Sequence, residues 1–386
     1  MPNKRPVVLV HGILGFGPKE LGPLNYWGTA LRVPSPLSRF EASVGPLSSA
    51  HDRACELAAQ IKGTRVDYGA AHARREGHAR YGADYTGEGF VPDWSDGKPV
   101  HLVGHSLGSP TIRCLQHLLA SDYWGWGSSA GWVASLSTVS GVSNGSTLTY
   151  LFGADEKTGL IGKADIAAAL LLIVEAYAFA TGGIQDNVYN FDLGHWGFER
   201  QPGESLADFL LRLSESRFLA GKDNACYSLT LQGAYADNAV WQSYPGTHYF
   251  SYITAQTEKG WLSSHHYPKP RMNPAMLPHA TYIGRKQFAR KPIPVQGFRA
   301  ADWWENDGAV STHSQKYPHV SGTHPVGIEF DAETPASRFV KGRWHYSWAR
   351  DVDHLDVCVF PQADQIGWQR KFYISLFARL AALTLG

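Results

Sequence analysis

The chain has 386 residues, with 35 basic against 34 acidic side chains and a formal net charge of +1. That balance, without a basic tail, excludes a polycationic nucleic-acid binder. With 44% hydrophobic and 12% aromatic residues, the composition suits a large packed core and long shaped loops rather than a disordered chain.

The length allows two domains, but no repeat and no flexible linker divides the sequence, so a single domain over 1–386 with insertions is expected. Pro6 to Val10 predicts a buried strand. No signal peptide precedes it, so the chain reads as intracellular or as a mature form. The strand runs into the Gly-rich turn His11-Gly12-Ile13-Leu14-Gly15. Residues 48–99 are polar and Gly-rich, with His51, His72 and His78, and are long for a connection, which points to a functional insertion. Four cysteines, Cys55, Cys114, Cys226 and Cys358, are too few for a disulfide scaffold.

Val100 to Gly108 reads Val-His-Leu-Val-Gly-His-Ser-Leu-Gly, an apolar strand entering Gly-x-Ser-x-Gly. This is the pattern of a nucleophile elbow. A sharp turn lifts Ser106 clear of the sheet, and the turn crowds the positions two before and two after it. Gly104 and Gly108 have no Cβ to clash there. Ile112, Leu115 and Leu119 give the following segment a helical apolar stripe. The plain alternative is an ordinary strand–turn–helix junction. With the elbow, the expected fold is an α/β-hydrolase: a mostly parallel central sheet with helices on both faces. The first strand's loop would then donate one oxyanion-hole amide, from Ile13, and Leu107 the other.

Further on, Gly131 to Val139 predicts a core strand. Ala164 to Ala180 is the most apolar stretch, ended by Gly182-Gly183. It carries Asp165 and Glu175 and is barely long enough for a membrane span, leaving a core helix or a mobile lid as the other readings. Gly246 to Thr254 predicts a strand, and 255–300 is loop-rich. The C-terminal helix carries Trp368, Phe372, Leu376, Leu380 and Leu383 on one face.

A hydrolase of this class orders its triad Ser, acid, His. After residue 300 the histidines are His313, His319, His324, His345 and His354. Asp307, on a Glu-Asn-Asp-Gly turn, pairs by spacing with His354, while Asp302, Asp351 and Asp353 compete as acids.

Nearly the whole chain resembles the zinc-containing thermoalkalophilic bacterial lipases and, more distantly, the staphylococcal lipases. The resemblance is carried by Val44-Gly45-Pro46-Leu47-Ser48-Ser49, Asp52-Arg53-Ala54-Cys55-Glu56, Val66-Asp67-Tyr68-Gly69-Ala70-Ala71-His72, Gly77-His78-Ala79-Arg80, Arg200-Gln201-Pro202-Gly203-Glu204-Ser205, His266-Tyr267-Pro268, Glu305-Asn306-Asp307-Gly308 and Val352-Asp353-His354-Leu355. It implies Ser106 as nucleophile, Asp307 as acid and His354 as base. It implies a secreted triacylglycerol lipase working at an oil–water interface, without a transmembrane anchor or nucleic-acid partner. A lid or cap would occupy 150–230, with Ala164 to Ala180 in the lid's place. It also implies a structural zinc on Asp52, His72, His78 and Asp223, two imidazoles and two carboxylates that balance Zn²⁺. Cys55 and Cys226 each follow one of those aspartates by three residues, so the thiols are alternatives as zinc ligands or as a disulfide pair. For calcium, Asp356 matches one family carboxylate, but the second position holds Pro361, with Asp364 three residues on, so weak or absent binding is expected.

The chain departs from the family at Gly104, at Leu107, in the Ser140–Gly145 loop and in the lid sequence. A carboxylesterase or acyltransferase acting on soluble short esters is the near alternative. A catalytically silent binding protein on the same fold is the distant one.

Overall fold

Seven strands form one sheet in the order β10-β11-β7-β6-β5-β1-β2, with every pairing parallel. In chain order they are β1 (Val7–Val10), β2 (Arg39–Ala42), β5 (Val100–His105), β6 (Val133–Val139), β7 (His248–Ala255), β10 (Ile328–Glu329) and β11 (Trp344–Arg350). Two antiparallel hairpins stand apart, β3 (Arg65–Asp67) with β4 (Tyr81–Asp84), and β8 (Thr257–Lys259) with β9 (His266–Pro268). The computed structural model describes residues 3–384 except 19, 21–23, 163–164, 166–169, 171–190, 296, 321 and 360.

β1, β5, β6 and β7 are buried along their whole length, as expected of strands covered on both faces. Side-chain alternation sorts the core into two layers. Val8, Val10, Leu102, Leu136 and Tyr249 face helices α1 (Ala50–Lys62) and α3 (Gly108–Ala120). Val7, Leu9, Val103, Val139 and Phe250 face the C-terminal helix Ile366–Ala382. This is the α/β-hydrolase fold.

Within residues 48–99, Ala50–Lys62 is therefore a core helix. Ser49 caps α1 by accepting the Asp52 N–H at 3.2 Å. Outside that layer lie β3, the short helix α2 (Ala70–Glu76) and β4.

The C-terminal helix is rotated from its apolar stripe. Tyr373, Leu376, Phe377 and Leu380 are buried, whereas Trp368 and Phe372 stack on each other at its edge. Gln369 takes the central position because its amide donates to the carbonyls of Asp356 and Cys358 and accepts from the Thr29 hydroxyl. A buried amide with its partners satisfied outranks hydropathy there. Among the described residues no helix is long and apolar enough to cross a membrane. Ala164 to Ala180 lies outside the described residues except for Asp165 and Leu170.

The chain passes from β1 outward to β2, then returns to β5 on the other side of β1. Such a reversal opens a crevice at the carboxyl ends of the strands. The turns after β1 and β5 both lie there.

Candidate functional site

Ser106 follows β5 at φ +54°, with its N–H held by the Val139 carbonyl at 3.1 Å. A Cβ on Gly104 would stand 2.4 Å from the Gly108 carbonyl oxygen, and one on Gly108 2.1 Å from that of Val10. Both glycines are thus required by the close approach of backbone at the elbow. α3 begins two residues after the serine, and no side chain caps it. The Ser109 N–H is taken by the Ser106 carbonyl at 3.0 Å and Pro110 has none, so the amides left at this end for developing negative charge are those of Leu107 and Gly108.

The turn after β1 packs on the nucleophile. A Cβ on Gly12 would lie 2.8 Å from the Ser106 Cβ and 2.9 Å from the Tyr26 hydroxyl. The Ile13 and Leu107 N–H groups have no hydrogen-bond acceptor among the described residues, whereas the Leu14 N–H is taken by Pro46 at 3.1 Å. Buried Arg53 fastens this loop from α1, donating to the carbonyls of His11 and Gly45 and to the Thr111 hydroxyl on α3.

Asp307 is fully buried. Its Oδ2 accepts from His354 Nδ1–H at 2.8 Å, from the Thr254 hydroxyl at 2.7 Å and from Gln315 at 3.1 Å. Its Oδ1 accepts the N–H groups of Ala309 and Val310 at 3.0 and 2.8 Å. The competing acids point elsewhere. Asp302 pairs with Arg299, Asp351 with Lys269, and Asp353 holds the N–H groups of Asn273, Leu355 and Asp356. Ser106 and His354 line one cavity of about 210 Å³ with Ile13, Phe152, Leu229, Met276 and Val310, an overwhelmingly apolar wall.

A second chain of hydrogen bonds links the two loops. Gly12 N–H donates to the Tyr26 hydroxyl at 2.8 Å, so that hydroxyl donates onward to His105 Nδ1 at 2.6 Å. His105 then carries its proton on Nε2 and donates to the His354 carbonyl at 3.2 Å. Burial, followed by the nearby His354, keeps the His105 imidazole neutral by lowering its pKa well below the ordinary value. Neither residue stands out in the sequence. His105 looks like the variable position of the elbow, and Tyr26 lies in a loop without a motif.

Asp52, His72, His78 and Asp223 converge, each offering a ligand atom within 4.8 Å of the others. His72 Nε2 is 3.1 Å from both Asp52 and Asp223, and His78 Nε2 is 3.4 Å from Asp223. A tetrahedral shell with bonds of about 2 Å separates its ligand atoms by roughly 3.3 Å, so the set fits zinc. The tautomer of His78 argues the same way. Its Nδ1–H donates to the Ala79 carbonyl at 2.8 Å, leaving Nε2 as a bare lone pair, buried without a hydrogen-bond partner and facing two carboxylates. A cation bound there would satisfy that lone pair together with both carboxylates. His195, absent from the sequence reading, adds a hydrogen bond to Asp52 Oδ2 at 3.1 Å and stacks on Tyr68.

The cysteines take no part in this cluster. Cys55 and Cys226 are free thiols, which corrects the disulfide alternative. Cys55 is buried among α1, α3 and the sheet, while Cys226 lines the cavity at Ser106. Asp356 has both oxygens occupied, by the N–H groups of Asp353 and Gln362 at 3.0 Å each, and Asp364 pairs with Arg271.

The family described as "Lipase-like, C-terminal domain" matches residues 3–371. Lipase 2 of Staphylococcus aureus is 34% identical over 400 residues, covering 96% of this chain and 52% of that protein. The chain thus spans about half the length of the curated relatives it matches. Among solved structures, EstA from Clostridium botulinum superposes with a TM-score of 0.82 at 31% identity, covering 99% of this chain and 88% of that one. The lipase of Staphylococcus hyicus gives 0.74 at 30% identity, covering 98% and 96%.

Proposed function

Because the chain belongs to the family of lipase-like C-terminal domains, we propose that it hydrolyses carboxylic esters of acylglycerols through an acyl-enzyme on Ser106. The observation that carries this reading is the 2.8 Å bond from His354 Nδ1–H to Asp307, beside a serine elbow in an apolar cavity. Asp307 fixes the tautomer, so His354 Nε2 presents a lone pair for the Ser106 proton. Ser106 Oγ attacks the ester carbonyl, and the oxyanion is held by the Ile13 and Leu107 amides. His354 returns the proton to the departing alcohol, and water, deprotonated in turn by His354, releases the acid. Tyr26 and His105 hold the oxyanion loop and the histidine loop in register.

Triacylglycerols as substrate and Ala164 to Ala180 as a lid belong to the same reading. Leu170, a described residue of that stretch, belongs to the same buried apolar cluster as Ile161, which lines the cavity. A hydrolysis profile over acyl length is the test. Turnover of emulsified long-chain glycerides should exceed that of soluble acetates and rise sharply where substrate passes its solubility. Smooth saturation with a preference for short soluble esters would make the protein a carboxylesterase instead.

In this reading Asp52, His72, His78 and Asp223 would hold a structural zinc, supplying charge neutralisation that braces β3, α2 and β4 against α1. Four protein ligands leave no position for substrate. Removing the metal with a chelator should cost about 4 kcal/mol of stability if zinc stands at a thousandfold excess over its Kd. Calorimetry with and without chelator, with elemental analysis of the parent and of Asp52→Ala, checks this. An unchanged melting curve in a protein free of zinc would remove the metal from the reading.

A further inference from the structure

The most exposed of the large apolar side chains among the described residues are neighbours. Trp261 is 96% and Leu262 91% exposed, at the tip of the β8–β9 hairpin. A tryptophan so fully in water is unusual, since its area belongs in a core or an interface.

The hairpin is braced and aimed. β8 begins two residues after β7, and β7 runs parallel to its neighbours, so the hairpin leaves the sheet at the carboxyl edge, the edge of Ser106. Its base is bonded to the turn that holds Asp307: Gln256 N–H donates to the Asn306 carbonyl at 3.0 Å, and Asn306 N–H to the Thr257 hydroxyl at 2.9 Å. His266 N–H donates to the Gly284 carbonyl at 2.9 Å, joining β9 to the helix Leu277–Ile283, and the His265 ring packs on Trp304. Leu151 and Leu277, each next in sequence to a residue lining the cavity, and Tyr267 on β9 are also exposed apolar side chains.

We propose that Trp261 and Leu262 form an anchor that inserts into an uncharged lipid surface and seats the cavity mouth against it. The inference rests on the ester-hydrolase reading and names the surface on which that site works. Two side chains on a hairpin tip fall far short of the roughly 1,200 Å² that a specific protein interface buries. A lipid surface needs no such area, because tryptophan is at home at the headgroup level with leucine below it. Beside the tip, Lys259 follows Glu258 on β8, while Lys269 is paired with Asp351 and Arg271 with Asp364, so the charges flanking the anchor balance and anionic headgroups are not required.

The test measures sedimentation partition onto phosphatidylcholine vesicles, in an inactive Ser106→Ala background. Trp261→Ala with Leu262→Ala should lower the partition coefficient about tenfold or more, with little dependence on salt. Val340→Ser, which changes a 55% exposed side chain away from the hairpin, should leave it unchanged. With Ser106 intact, the double variant should keep the parent's rate on a soluble short ester and lose rate on an emulsion. Parent-like partition in the double variant would overturn the anchor. So would a parent dimer that the variant abolishes while vesicle binding persists. A parent that binds vesicles through Trp261 and Leu262 but hydrolyses no ester would leave the anchor standing and overturn the reading of the site.

Discussion

Ser106→Ala is expected to lower kcat by about a millionfold while the melting temperature stays near that of the parent. The serine hydroxyl forms no structural hydrogen bond among the described residues, and the bond that holds the elbow comes from the Ser106 N–H to Val139. Alanine meets the same φ of +54° and keeps that N–H, so the turn survives and only the nucleophile goes. The residual rate over water would come from binding and from the Ile13 and Leu107 amides. Turnover of a soluble nitrophenyl ester, with calorimetry and labelling by a fluorophosphonate, reads the effect. A variant within tenfold of the parent, or one still labelled, would place the nucleophile elsewhere.

The elbow was legible because its constraint is local. Two glycines, an apolar strand and a helical stripe lie within twenty residues, and the clash that demands Gly104 is with Gly108 and Ser109, although the one that demands Gly108 is with Val10 on β1. The acid and the base were not legible to the same degree. Asp307 and His354 sit in loops after different elements, and spacing left four acids and five histidines open. Their meeting depends on β7 and β11 being adjacent in the sheet, a non-local fact that only the resemblance supplied. The metal ligands come from α1, α2 and two loops, with no finger-like spacing, and His195 had no signal at all. The C-terminal helix shows the opposite failure. Its apolar stripe was clear, yet Gln369 displaced Trp368 from the core because carbonyls at the end of the histidine loop needed a donor. Hydropathy reads burial of surface and is blind to the satisfaction of buried polar groups.

Asp307→Asn is expected to cost about ten thousandfold in kcat with little change in KM, and the reason can be read from the donors around the carboxylate. On one side stand two backbone N–H groups, from Ala309 and Val310, which cannot turn away. They require an acceptor, so the asparagine carbonyl must take that side. The amide NH₂ is then forced toward His354, where it meets Nδ1–H donor to donor. The Thr254 hydroxyl can rotate to accept, and the Gln315 amide loses this acceptor but keeps the carbonyls of Thr254 and Val310, whereas the imidazole can accept only by moving its proton to Nε2. That proton then lies on the nitrogen that should take one from Ser106, and the base is blocked. The fold should be little disturbed, because the residue stays isosteric and uncharged where Asp307 was fully buried. The rate loss should therefore appear without a matching loss of stability. Asp302→Asn, whose carboxylate pairs with Arg299 outside the cavity, should stay near the parent rate. Kinetics of both variants on one soluble ester decide the assignment. A loss of less than tenfold at Asp307, or a large loss at Asp302, would move the acid of the triad to another residue.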